Sequence, residues 1–147
     1  MPNHPPISEE ANQDYDALLE RMMPLVEKWQ TEQDGFVPCG AAITATNELV
    51  EQAITINDTT TPKSAMHMLF SGFQAQARAR QIRALIACYD GSFVEDGQDV
   101  PAIVIILEHI RGPATILRRP YRKNPDGTYG YAQMEGQRVQ SEIFAGL

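Results

Sequence analysis

Five consecutive branched apolar residues, Ile103 to Leu107, stand out within the segment Pro101–Ile110. Successive side chains of a strand point to opposite faces, so a strand here is apolar on both sides. Such a strand belongs inside a sheet that is covered on both faces. Upstream, apolar residues recur at Ala11, Tyr15, Leu18, Leu19, Met22, Val26 and Trp29. Their spacing of three and four predicts one face of a helix, capped by Ser8, with Glu9 and Glu10 at its positive end. Pro24 lies within this helix, removes a backbone donor and crowds the carbonyl of Glu20, so a kink or a break is expected there. Asp34-Gly35 predicts the stop.

Phe36 to Thr44 reads as a strand, with Pro38 pointing to an edge position or to the first residues of pairing. Ala45 to Glu48 is a turn with Asn47 in the left-handed region, and Leu49 to Ile56 is the return strand. After a polar loop, Thr61-Pro62 opens a second helix, expected to run to about Gln81 and striped by Met66, Leu69, Phe70, Phe73 and Ala77. Arg83 to Tyr89 reads as a strand, Asp90 to Asp99 as an acidic loop, Val100 to Ile110 as the central strand and Ala114 to Arg122 as its partner. Lys123 to Gly127 is a turn. Thr128 to Met134 is a last short strand, and Gln137 to Phe144 is read as strand rather than helix.

These elements define an α+β fold. Two main helices accompany a mostly antiparallel sheet of five to six strands, in the order helix, two strands, helix, then three or four strands. The helices could cover opposite faces of the sheet, or share one face and leave the other to a partner chain. In element order alone the chain resembles profilin-like and roadblock-like folds and small dimeric secretion chaperones, a resemblance of topology that carries no function.

The 147 residues suit one domain, taken as residues 8–147 behind a flexible tail over 1–7. No apolar run approaches the roughly 18 residues of a membrane span. The first residues have neither the basic nor the apolar region of a secretory signal, and Cys39 and Cys88 sit in apolar contexts that suit small buried side chains. A cytoplasmic location is therefore expected. Charge is uneven: residues 1–60 hold eleven acids and two bases, a net −9, and residues 61–147 hold eight acids and ten bases, a net +2. With a pI near 4.9, the overall field disfavours nucleic acid.

Candidate chemistry is sparse. Glu108 and His109 suggest an acid–base pair, but strand neighbours face opposite ways, and at a strand end both are expected to be solvated. His67 has no ligand-type partner one turn away, His4 falls in the tail, and the histidines and cysteines form neither CxxC nor HxxxH, so no metal and no cofactor are expected. A Cys–His nucleophile pair has no support in the spacing. The acidic loop lacks the alternation that fixes calcium. Arg78, Arg80 and Arg83 suit the negative end of the second helix.

The distinctive polar run is Arg118-Arg-Pro-Tyr-Arg-Lys123. In an extended segment Arg118, Pro120 and Arg122 share one side, and Arg119, Tyr121 and Lys123 the other. Arg118, Arg119, Tyr121 and Arg122 are the candidate binding residues, since arginine and tyrosine dominate protein contacts. Their structural role would be to pair with the acidic N-terminal half. The expectation is a protein-binding or adaptor module, immunity- or chaperone-like by analogy, which binds another protein or itself as a homodimer and has no membrane partner. The alternative is a small-ligand sensor or enzyme with a helix–sheet pocket, using Glu108 or His109 as acid or base and Arg119 or Arg122 as an anion clamp.

Overall fold

A computed structural model describes residues 8–33, 35–52 and 54–145. The tail expected over 1–7, Asp34 of the expected helix stop and Ala53 of the expected second strand lie outside the described residues. The elements are α1 (Glu9–Gln33), β1 (Cys39–Thr44), β2 (Leu49–Glu51), α2 (Pro62–Arg78), β3 (Ile82–Glu95), β4 (Gln98–His109), β5 (Ala114–Lys123), β6 (Tyr129–Tyr131) and β7 (Glu135–Val139). They form the expected α+β architecture, with seven strands rather than five or six. The sheet runs β2-β1-β3-β4-β5-β6, all antiparallel, with β7 also paired to β5.

Local chemistry explains the element ends. Ser8 caps α1, its hydroxyl accepting from the Ala11 N–H at 3.1 Å. Thr61 caps α2 in a reciprocal box with Ser64, ahead of Pro62 in the first turn. Pro24 does not break α1; it and Glu20 lie on the exposed side, where a carbonyl without a helical partner meets water. Helix α2 ends three positions short of expectation because Arg80 turns into the left-handed region (φ 57°). Asn47 takes that region too (φ 71°), as its turn requires.

The expected acidic loop Asp90–Asp99 is instead most of a hairpin. Every residue from Ala84 to Glu95 pairs with β4, and the reversal is confined to Asp96 and Gly97, both at positive φ (52° and 78°). That is the two-residue turn that Asp-Gly favours. The expected strand Gln137–Phe144 is also revised. β7 stops at Val139, and the chain then bends inward so that Ile143 and Phe144 are buried. β6 and β7 follow one edge of β5 with the register displaced by a residue between them: Tyr121 faces Tyr131, but Arg118 faces Glu135.

β4 is buried on both faces, as its composition demands. Ile103, Ile105 and Leu107 pack with Ala41, Ile43, Ala84, Ile86 and Cys88 beneath Tyr15, Leu18, Met22 and Val26 of α1. On the other side Ala42, Leu85 and Ala87 meet Leu69, Phe73 and Ala77 of α2, together with Ile143 and Phe144. The helices therefore cover opposite faces. Leu69 and Phe73 are wholly buried, each removal from water stabilising by roughly 1.5–3 kcal/mol. Helix α2 packs on β1 and β3. Further along that face Phe93, Val100, Ile106, Ile116, Arg118 and Pro120 are only half-buried.

Phe73 reaches the sheet because Gly40 has no side chain. A Cβ there would lie 3.0 Å from the Phe73 ring and would also meet the Ile86 carbonyl oxygen. Gly40→Ala is expected to lower stability by about 1–3 kcal/mol in urea denaturation; an unchanged midpoint would show that α2 can shift freely.

Candidate functional site

Glu108 and His109 point to opposite faces, as alternation requires, but they are not solvated: they are 2% and 1% exposed. The chain continues past His109 through Arg111 and Pro113 beside α1, and the C-terminal segment folds over Glu108, so both sides of this strand end are covered. Each residue anchors its own buried polar cluster.

On the α1 face His109 Nε2 lies 2.7 Å from Asp14 Oδ2. The Arg111 N–H donates to His109 Nδ1 at 3.0 Å. The ring proton therefore sits on Nε2 and is donated to Asp14. Arg83 grips the same carboxylate with two bonds of 3.0 Å and also donates to Asn47 at 2.7 Å. Arg83 lies in the strand expected over Arg83 to Tyr89, but its charge serves Asp14 rather than the end of α2. It is an extra residue in β3, since Ile43 faces Ala84 while Thr44 faces Ile82. A bulge re-aims its residue, and here it turns the guanidinium toward α1. Burial raises the Asp14 carboxyl, but hydrogen bonds from Arg83 and His109 outweigh it and hold the group below the ordinary range. Tyr15 completes the cluster, its hydroxyl donating to the Pro113 carbonyl at 3.1 Å.

Glu10, Asp14 and His109 offer three ligand atoms within 4.8 Å of one another. The chemistry does not suit a cation: His109 Nε2 carries a proton, and the Arg83 guanidinium already neutralises Asp14. The cluster is a clasp between helix and sheet. On the other face Glu108 Oε1 accepts from the Ser141 hydroxyl and from the Glu142 and Ile143 N–H groups at 3.0 and 2.8 Å. This holds the C-terminal bend against the sheet.

The run Arg118–Arg122 divides as alternation predicts. Arg119 and Tyr121 turn toward α1. Arg119 pairs with Glu27 at 2.9 Å and lies 5.1 Å from the Tyr131 ring centre, and the Tyr121 hydroxyl donates to Asp90 at 2.6 Å. Burial, then the bond to Asp90, pushes the Tyr121 phenol well above its usual value. The Tyr131 hydroxyl donates to buried Gln30 at 2.8 Å. Arg119–Glu27 ties β5, and Arg111–Glu10 ties the β4–β5 turn, to the acidic helix. Arg118 and Arg122 face the other way. Arg118 stacks 4.2 Å from the Phe93 ring centre and pairs with Glu135 at 3.5 Å, while Arg122 is exposed beside Gly130.

Four hollows stand out among the described residues. One of about 350 Å³ is lined by Pro120, Arg122, Gly130 and Ala132 with the adjoining tyrosines, and one of about 270 Å³ by Ile116, Arg118, Glu135, Gln137 and Val139. Both open on the half-covered face. A third, of about 260 Å³, lies between β1 and Gln76, and the fourth, of about 420 Å³, lies where α1 exits beside the start of α2. None of these four is lined by Glu108, His109 or Arg119, whereas Arg122 borders the first. Cys39 and Cys88 face one another across β1 and β3, and their mutual hydrogen bond and burial push the Cys88 thiol well up. Cys88 sits opposite Ile105, four residues along β4 from His109, so these two residues do not form a nucleophile pair.

Sequence reasoning missed Asp14, Arg83, Gln30, Asp90 and Phe93. Asp14 and Gln30 had a signal, since both fall in step with the stripe Ala11–Leu18–Met22–Val26. No family model matches the chain, and neither a curated protein nor a solved structure matches it.

Asp14→Ala leaves Arg83 and His109 without their buried carboxylate and is expected to cost about 3 kcal/mol at neutral pH in urea denaturation. The folded value of Asp14 lies below its unfolded value, so its stabilisation is complete above about pH 4 and disappears as pH falls through the lowered value. The gap between the two proteins should therefore narrow in acid; a constant gap would show that Asp14 acts by packing alone. Glu108→Ala should cost about 2 kcal/mol and speed amide exchange at Glu142 and Ile143, whereas unchanged exchange would show that the bend holds without Glu108.

Proposed function

We propose that the chain is a cytoplasmic protein-binding module whose contact surface is the half-covered face of β4 and β5, centred on Phe93, Ile116, Arg118, Pro120 and Arg122. The observation that carries this reading is the reach of the covering elements: α2 packs on β1 and β3, and the C-terminal bend covers the Glu108 end. The remaining surface combines half-exposed apolar side chains, a stacked arginine and two shallow hollows. Aromatic and arginine side chains over an apolar floor suit protein contacts. A binding role is favoured over catalysis because the acid and base that could have worked together occupy separate buried clusters on opposite faces. No helix among the described residues is long and apolar enough to cross a membrane.

The partner is a second copy or a different protein, and two measurements separate these. Sedimentation velocity reads self-association, and capture from an extract of the native host reads a heterologous partner. The double variant Arg118→Glu, Arg122→Glu should lose association at least about tenfold, a change of about 1.4 kcal/mol. The control double variant Arg78→Glu, Arg80→Glu, an equal charge change at the exposed end of α2, should not. Equal association by both variants would remove this face as the contact surface.

A further inference from the structure

The largest of the four hollows, about 420 Å³, lies apart from the proposed contact residues. It is walled by Gly35, Phe36 and Pro38 after α1, by Pro62, Lys63 and Met66 at the start of α2, and by Tyr89 and Asp90 of β3. Its size falls in the range of small-molecule sites, and its walls are mainly apolar and aromatic with two polar groups, the composition such sites favour. Those groups carry opposite charges. Asp90 stands on the β3 side, with Oδ1 fixed by the Tyr121 hydroxyl at 2.6 Å. A Cβ built at Gly35 would lie 3.6 Å from Oδ2, so glycine leaves that oxygen's flank free of a side chain. Lys63 stands on the α2 side, in a first turn that contains no acid. Among the described residues neither Asp90 nor Lys63 has an ion-pair partner, although both border one cavity.

We propose that this cavity binds a small zwitterion with an apolar body, of the apolar amino-acid class. The ammonium group pairs with Asp90, the carboxylate pairs with Lys63, and the apolar body packs among Phe36, Pro38, Met66 and Tyr89. Opposite charges on two walls select for a molecule that carries both and penalise one that carries a single charge, because the unmatched wall is desolvated without return. Met66 adapts its shape to the body it meets.

Phenylalanine and leucine are titrated into the isotope-labelled full chain, alongside phenethylamine, which has the amine alone, and hydrocinnamate, which has the carboxylate alone. At least one of the two amino acids should shift the Gly35, Lys63 and Asp90 amide resonances with a Kd below about 1 mM, and the single-charge probes should bind at least about tenfold more weakly. Asp90→Asn keeps an acceptor for Tyr121, and Lys63→Gln changes an exposed position; each should weaken the zwitterion at least about tenfold. No saturable shift with either amino acid, equal binding of a single-charge probe, or unchanged binding by Lys63→Gln would each overturn the proposal. These readouts do not involve Arg118 or Arg122, so they stand or fall separately from the contact surface.

Discussion

Ile103, Ile105 and Leu107 on one face of β4, and Val104 and Ile106 on the other, must all leave water, and two helices supply most of the cover. One long helix therefore takes one face and a shorter one takes part of the other. Both helices sit over β1 and β3, but the 25-residue α1 also reaches β4 through Asp14 and His109 and β5 through Glu27 and Arg119, which the 17-residue α2 does not match on its face. The half-covered strip beside α2 follows from that difference in reach. The inward bend of Ile143 and Phe144 is the chain's partial remedy.

Apolar burial alone does not fix how α1 sits along the sheet, because an aliphatic surface tolerates sliding. The Asp14–Arg83–His109 clasp supplies the missing register. It joins the first half of α1 to a bulge in β3, the end of β4 and the β1–β2 turn through Asn47. Each buried polar atom in it has a directed partner, and satisfaction of this kind lets a polar group specify packing without a net penalty. Gln30 and Tyr131 make a second polar tie near the other end of the helix.

Much of the architecture was legible because it depends on period. The stripe from Ala11 to Val26, the cap at Thr61-Pro62, the turn at Asn47 and the doubly apolar β4 are local patterns, and local patterns survive folding. The hairpin through Asp90–Asp99 was misread because its acids and glycines suggest a loop, although alternation continues through Tyr89, Phe93 and Val100 on one face. The burial of Glu108 and His109 was not legible: it depends on a bend at Ser141 and on Asp14, far away in sequence. The orientation of Arg83 depends on one unpaired residue in the β1–β3 ladder, and no composition rule marks such a slip. The split of Arg118–Arg122 into two faces followed from alternation, but which half the helix would claim did not.

Beyond Cys88 on β3 and before Ala102 on β4, the paired strands have no further ladder neighbours among the described residues, so a two-stranded ribbon projects from the sheet. Both of its long sides present unpaired peptide groups, and Val94 near the tip is 70% exposed. Bare edges of this sort invite fibrous stacking between molecules. Glu95, Asp96 and Asp99 crowd the same tip with negative charge, so two ribbons approaching side by side repel before their backbones can zip together. The acids of the ribbon thus act as gatekeepers, keeping an open edge compatible with a dispersed protein.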